Sequence, residues 1–406
     1  MPFRVAVSGL RAAQADLNVI GNNIANVATT GFKNSRAEFK DVYSISNIGS
    51  AGDSPGRGLN VSRIAQQFSQ GNISFTDNGM DLAISGNGFF ILDDNGSRKY
   101  TRDGAFGLDR EGYVVNSANQ RLVAFGADST GTITGATGPL RIDLNDISPQ
   151  ATGRIDIGIN LDASEDPPGT AVFDPLDASS YNRSTAVSVY DSLGGQHTLQ
   201  MFFLKQGAPA VNSWSTYTVV DGVATSGPST MAFDSAGALA TPANGQITIP
   251  TFTPATGVDP MDVTIDFSGS TQFGKDFGVN ALAQDGFSSG RFSGIDIDEQ
   301  GVLLARFTNG RSRVQGQVAL ATFANVQGLQ PIGESAWVET FASGAQLEGA
   351  PGTASLGLIQ AGALEDSNVD LSEQLVKLIV AQRNYQANTE VISAADTVTQ
   401  AVINIR

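Results

Sequence analysis

Few residues in this chain could do chemistry. Its 406 residues include one histidine, His197, and no cysteine. Without thiols there is no thiol nucleophile, no disulfide and no cysteine-bound metal. His197 sits in Asp191-Ser-Leu-Gly-Gly-Gln-His-Thr-Leu199, whose glycines predict a turn between two strands. As a triad base it would need a serine on a strand–turn–helix elbow, and no Gly-x-Ser-x-Gly segment stands in that context. As a zinc ligand it would need three carboxylates around it, a rare donor set. It reads as a turn residue, exposed or hydrogen-bonded. Two carboxylate pairs, Asp93/Asp94 and Asp296/Asp298, have the residue types of a glycosidase. The first falls in a predicted turn, the second on one face of a predicted strand. A sugar cleft needs aromatic walls, and Trp214 and Trp337 are the only tryptophans. The acids read as solvated. Gly86-Asn-Gly88 precedes no helix, so it is no phosphate loop. Asp109-Arg-Glu-Gly112 is too short for an EF-hand and reads as a β-turn. The expectation is a non-enzyme with no catalytic, cofactor or metal site.

The bulk numbers point the same way. A net charge of −16 repels phosphate backbones, which argues against a nucleic-acid partner. The three arginines between Arg306 and Arg313 are balanced by nearby acids. Charged residues make up only 16% and glycines number 46, a mix suited to strands joined by many turns. With 22 phenylalanines against 7 tyrosines, the aromatics favour buried cores over a wet binding platform. No window approaches 18 apolar residues, so no membrane span is predicted. The start, Met1 to Ala6, lacks the basic, apolar and small-residue regions of a signal peptide. Export would need a route without a cleaved signal.

The elements that could position a functional surface lie at the two ends. From Phe3, apolar residues recur at Ala6, Leu10, Ala13, Leu17, Ile20, Ile24 and Val27. The steps alternate three and four, a heptad stripe, and Gly31 falls where a helix-ending glycine would. About 27 helical residues would make a rod of about 40 Å. Near the other end, Asn368 and Asp370 offer N-cap side chains. A second stripe follows through Leu371, Leu375, Leu378, Gln382, Tyr385, Thr389 and Ile392, then Ala395, Val398, Val402 and Ile405. No Gly or Pro interrupts Val369 to Arg406. Neither amphipathic helix is stable alone, so the two are expected to pair with each other. The run Gly21-Asn22-Asn23-Ile24-Ala25-Asn26 weakens a helix, and asparagine at a packed seam fixes register at a cost in stability.

Between the ends the pattern is β. Residues 71–148 and 279–361 share one tone, with Leu82 to Asp94 a strand closed by Asn95-Gly96. Residues 149–278 are richer in proline and in short alternating runs, as in a sandwich or barrel. The expected fold class is mainly β with α-helical termini. It is a nested multi-domain chain of two β domains plus a terminal two-helix coiled coil. The helical domain takes 1–33 and 366–406, a linker 34–70, the middle β domain 71–148 and 279–361, and the inserted outer domain 149–278.

Ser8 to Lys33 (SGLRAAQADLNVIGNNIANVATTGFK) resembles the N-terminal motif of bacterial flagellar rod and hook axial proteins. Ser367 to Asn388 (SNVDLSEQLVKLIVAQRNYQAN) resembles their C-terminal motif. Val189 to Leu199, Gln284 to Phe287, Phe307 to Gly310 and Ala321 to Leu329 are similar to segments of the hook branch. The likeness is weakest from about 205 to 262. It implies a structural subunit of a curved, flexible tube outside the cell, a universal joint between rod and filament that transmits motor torque. The implied partners are other copies of the chain, the rod, the hook cap, the hook–filament junction proteins and the type III export apparatus. Phe3-x-x-x-Val7 resembles the export signal of early substrates. The motif residues carried over are Gly21, Asn22, Asn23, Asn26, Gly31, Phe32, Asn368, Asp370, Gln382 and Arg383. The expected assembly seam is Leu10, Leu17, Ile20, Ile24, Leu371, Leu375, Leu378, Tyr385 and Ile392. The alternatives are a distal rod or hook-associated axial protein, or an acidic secreted surface-binding protein.

Overall fold

The computed structural model describes residues 2–42, 58–128, 130–170, 172–253 and 257–404. The predicted helix-end residues Ile405 and Arg406 lie outside them, as does the middle of the predicted linker. Helix α1 spans Pro2–Ala25 and helix α2 spans Leu371–Asn404. Strands fill the interval between, so the fold is mainly β with a helix at each end. The chain divides into two compact units. One comprises Met1–Leu144, Gly294–Ala305 and Ser312–Arg406, and the other Asn145–Ser293 and Arg306–Arg311.

In the helix-bearing unit the two halves of the chain are sewn together by short antiparallel pairs. Ile73–Phe75 pairs with Ala363–Glu365, and Leu82–Ser85 with Leu358–Ala361. The run Phe89–Asp94 is apolar at successive positions because both of its faces are covered. Phe90 and Leu92 enter one core with Leu82, Ile84, Leu122 and Leu320. Phe89 and Ile91 enter a second with Tyr100, Val123, Phe323 and Trp337. The predicted linker holds a ribbon instead of free chain. Strand β1, Ser35–Asp41, pairs antiparallel with β2, Leu59–Gln66. Ala37 and Ala65 of this ribbon are buried.

The other unit is a sandwich. Strands Arg183–Tyr190, Gln196–Lys205, Ser213–Val220, Val223–Phe233 and Leu239–Thr241 form one antiparallel sheet. The second sheet centres on Arg154–Asp162. Ile155, Ile157, Ile159 and Leu161 alternate inward to meet Leu199, Met201, Phe203 and Trp214. The chain was expected to leave this domain at 278, but Gly278–Gln284 pairs antiparallel with Arg154–Asp162. That ladder holds 279–284 to the inserted unit.

One local device recurs in both units. At Asp109, Asp128, Asp191, Asp234 and Asp298 the aspartate N–H donates to the carbonyl four residues on. The glycine at the third position, with φ between +73° and +86°, donates back to the aspartate carbonyl. In each turn the carboxylate accepts the N–H of the fourth residue on. The sequence Asp-x-x-Gly is thus a hairpin instruction: the carboxylate organises the loop and glycine supplies the left-handed step. It accounts for Asp109 and Asp298, two of the acids weighed above for chemistry.

Candidate functional site

The other candidate chemical groups are tied into turns and ion pairs. Asp93 accepts from Gly96 N–H and Asp94 pairs with Lys99 at 2.6 Å. His197 lies between two carboxylates. Its Nδ1 is 2.6 Å from Asp221 and its Nε2 3.1 Å from Asp191. Asp191 organises the turn after Arg183–Tyr190, and Asp221 accepts from Thr198 N–H. His197 therefore clamps two hairpin turns of one sheet. Burial pulls its pKa down, but the hydrogen bonds to Asp221 and Asp191 outweigh this and leave it raised. A raised folded pKa gives stability that is complete below the ordinary value of about 6.5. That stability is lost as pH rises through the folded value. His197→Gln should remove this loss, read by the buried Trp214 fluorescence in denaturant titrations at several pH values. Among the described residues no group of His, Cys, Asp and Glu is placed to hold a metal ion.

The surface with the clearest functional geometry is built from the two terminal helices. They pack antiparallel, and two contacts fix the register. A Cβ on Gly9 would collide with the Asn388 side chain, and Asn23 Nδ2 donates to Gln374 Oε1 at 3.3 Å. From Gly9 to Asn23 on one helix, and from Gln374 to Asn388 on the other, the chain advances by the same fourteen residues. The covered positions of α2 are Gln374, Leu378, Ala381, Tyr385, Asn388, Ile392 and Ala395, a heptad. Those of α1 include Ala6, Gly9, Ala13, Asp16, Ile20 and Asn23.

The stripe that α2 presents to α1 runs partly beside the residues expected at the assembly seam. Ile20, Leu378, Tyr385 and Ile392 lie on the covered stripes. Leu10, Leu17 and Ile24 are half-buried, as Gly9 and Asp16 beside them are, and Asn23 is buried. On α2, Leu371, Leu375, Gln382 and Thr389 are exposed, and Gln374, Ala381 and Asn388 lie inward. The physical reason is separation. Small and amide side chains let the backbones approach closely, and amides can satisfy each other there. Asn23 is the hub of this arrangement, almost wholly buried. Besides Gln374 it exchanges two hydrogen bonds with the Ser35 backbone of the ribbon, at 2.8 and 2.9 Å.

The consequence is an aliphatic surface on α2 that is left exposed among the described residues. Leu371, Leu375, Val376, Ile379 and Val380 are each 43–62% exposed on successive turns. Unpartnered clusters of this kind mark interaction surfaces.

Just beyond the helix pair lies a buried charge cluster that no sequence pattern announced. Glu365 is fully buried between Lys33, at 2.6 Å, and Arg102, at 2.9 Å. It also accepts from Gly71 N–H at 2.8 Å, and its backbone carbonyl accepts from Gly31 N–H at 2.8 Å. Lys33 donates to the Ser69 carbonyl and Arg102 to the Gly86 carbonyl. Burial pulls the pKa of both cations down, and Glu365 opposes it. The cluster thus fixes where α1 leaves and where α2 begins.

The remaining motif residues have local roles or none. Asn368 accepts from Asn34 N–H at 2.7 Å and donates to the Gln67 and Ser69 carbonyls, tying the entry of α2 to the ribbon. Asp370 caps α2 by accepting from Ser372 and Glu373 N–H. Asn26 donates to the Asn22 carbonyl, and Phe32 is half-buried. Gly31 has φ +67°, and a Cβ there would lie 2.5 Å from Asp103 N. Gly31→Ala should lower the melting temperature of this unit by several degrees, checked by calorimetry, because strain and clash add. Gly21, Gln382 and Arg383 are exposed, and nothing lies within 4 Å of a Cβ at Gly21. Phe3 is exposed and Val7 half-buried beside it.

Comparison with known proteins finds matches at both ends of the chain and through much of the interval between. Residues 3–33 match the flagella basal body rod protein family and 360–405 the flagellar basal body rod FlgEFG protein C-terminal family. Residues 83–161 match the flagellar hook protein FlgE/F/G D1 domain, and 160–287 the flagellar basal body protein FlaE D2 domain. The flagellar hook protein FlgE of Escherichia coli K12 is 37% identical over 417 residues, covering 100% of both chains. That of Salmonella typhimurium LT2 is 38% identical over 418 residues, again covering 100% of both. In fold, the crystal structure of Helicobacter pylori flagellar hook protein FlgE2 is similar at a TM-score of 0.57 and 16% identity, over 72% of this chain and 100% of that one. Matched from end to end, and carrying both helical motifs around a nested β insert, the chain belongs to the flagellar hook protein FlgE family.

Proposed function

We propose that the chain is the structural subunit of a bacterial flagellar hook, polymerising into a curved, flexible tube that joins rod to filament. The observation that supports this most directly is the uncovered aliphatic face of α2. One copy leaves it in water, and a crowd of copies buries it. Each Leu, Ile or Val side chain so covered contributes about 1.5–3 kcal/mol before ordering costs. The residues expected at the seam but left outside it, Leu371 and Leu375, then contact neighbouring copies. The helices lie toward the tube axis. The polar, glycine-rich β surfaces of neighbours slide as the joint flexes under torque.

The same reading assigns the partners: other copies of the chain, the rod, the hook cap and the hook–filament junction proteins. Export runs through the flagellar type III apparatus to the cell exterior, with Phe3 and Val7 as the signal. No catalytic step is assigned. Full-length similarity to hook proteins favours this over a distal rod or hook-associated protein. The acidic surface-binding alternative predicts a monomer. Electron microscopy of the purified full chain at rising concentration separates them. Curved tubes are expected; a protein that stays monomeric under all polymerising conditions overturns the assignment.

A further inference from the structure

His197 is held in a way that a neutral imidazole cannot reproduce. Its Nδ1 lies 2.6 Å from Asp221 Oδ2 and its Nε2 3.1 Å from Asp191 Oδ2. An ionised carboxylate only accepts, so both contacts are hydrogen bonds only when both ring nitrogens carry protons. The charged groups beside the ring are Asp191 and Asp221. Asp259 lies on the segment that meets the Asp191 turn, where its N–H donates to Ser192 Oγ at 3.0 Å. Among the described residues no lysine or arginine is in an ion pair with any of these three acids. Burial lowers the imidazole pKa, and the hydrogen bonds to Asp221 and Asp191 more than reverse it.

The two arms of this clamp differ. The Asp191 side chain is 5% exposed. Its Oδ1 accepts from Leu193 and Gly195 N–H at 2.9 and 2.7 Å, and its Oδ2 meets His197. The Asp191 turn packs on the stretches through which the chain enters and leaves this unit. A Cβ on Gly194 would lie 2.9 Å from Pro149 Cβ and 3.3 Å from Ser288 Cα and Ser289 N. The Asp221 side chain is 46% exposed. With Gly222 it makes the turn between Ser213–Val220 and Val223–Phe233, at φ +49° and +83°. A left-handed non-glycine residue needs such support. Asp221 Oδ1 accepts from Thr198 N–H at 2.9 Å.

A neutral ring has one N–H for two carboxylates. Distance favours Asp221, whose contact is the shorter. Burial favours Asp191, and it decides the matter. Water replaces a lost donor at half-exposed Asp221, whereas Asp191 Oδ2 would be stranded in the interior.

We propose that His197 is a pH-operated latch with one fixed arm and one releasable arm. Protonated, it ties the Asp191 turn to the Asp221 turn. Deprotonated, it keeps Asp191 through Nε2–H and gives the Asp221–Gly222 turn up to solvent. The latch lies within the inserted unit and works in the single chain, whether or not copies assemble.

The test uses the full chain labelled with nitrogen-15 histidine. The chain has one histidine, so one set of ring nitrogen signals reports the titration from about pH 5.5 to about pH 9.5. Both nitrogens should be protonated at the acid end. The midpoint should lie above the ordinary value of about 6.5, and beyond it the proton should remain on Nε2. A midpoint at or below that value, or a neutral ring protonated at Nδ1, overturns the latch. Hydrogen exchange, normalised at each pH to an unstructured peptide, is an independent readout. Across the midpoint it should rise about tenfold in 218–224 and stay level in 190–195. An equal rise in both segments, or in neither, overturns the division into two arms. Asp221→Asn keeps a residue that tolerates the left-handed turn but removes the charge. It should bring the midpoint down, and an unchanged midpoint would show that Asp221 is no arm of the latch.

Discussion

Replacing Glu365 with alanine is expected to lower the stability of the helix-bearing unit by about 3–5 kcal/mol, the range for breaking a buried ion pair from one side. Glu365 is the single anion between two buried cations, so the intact cluster carries one net positive charge. Removing it leaves Lys33 and Arg102 buried and uncompensated, and Gly71 N–H without its acceptor. Losing one cation is different. With Lys33→Met, Arg102 still pairs with Glu365 and the cluster becomes neutral, so the loss should be smaller. Glu365→Gln should fall between, since an amide oxygen still accepts. The two tryptophans separate the units: Trp337 is buried in one and Trp214 in the other. In a denaturant titration the Trp337 transition should move and the Trp214 transition should stay. If Glu365→Ala leaves both midpoints in place, the cluster is not what holds the helix entry and exit together.

Why this cluster escaped a reading of the sequence is plain from its spacing. Lys33 and Glu365 are 332 residues apart, and although Lys33 closes the N-terminal motif, nothing near either residue in sequence points to the other. Each looks like an ordinary solvated charge, which is what most such residues are. The turns were legible for the opposite reason. Asp109 and Gly112, or Asp298 and Gly301, carry their whole instruction within a few residues. The helices fall between these cases. Their existence follows from an unbroken heptad at each end. Their facing residues do not follow, because apolarity was equated with burial inside one chain. Gly9, Asn23, Gln374 and Asn388 break that equation by allowing close approach and amide pairing. Leu371 and Leu375 break it from the other side, by remaining apolar and outside. On the polymer reading the mismatch has a reason: such residues are apolar for a neighbouring copy.

That argument makes its sharpest prediction at Ile379. The side chain is 50% exposed and lies outside the covered stripe of Gln374, Leu378, Ala381 and Tyr385. In the monomer Ile379→Asp places a carboxylate in water in mid-helix, which costs only a few tenths of a kcal/mol of helix propensity. Helical content and melting temperature should hardly change. In the polymer the same carboxylate would be pressed among aliphatic neighbours, with only Arg383 one turn on along its own helix to offset it, at a net cost of several kcal/mol. Every subunit bears that cost, so the concentration for assembly should rise at least a hundredfold, roughly the 3 kcal/mol equivalent. Ala381→Asp reverses the pattern. Ala381 is buried at the helix pair itself, so the monomer should lose helix packing before assembly is even tested. The pair of variants therefore separates the fold's own seam from the surface reserved for other copies. Equal loss of monomer stability in both would mean that α2 has no such reserved face. Normal tubes from Ile379→Asp would mean that its exposed aliphatics are not where the copies meet.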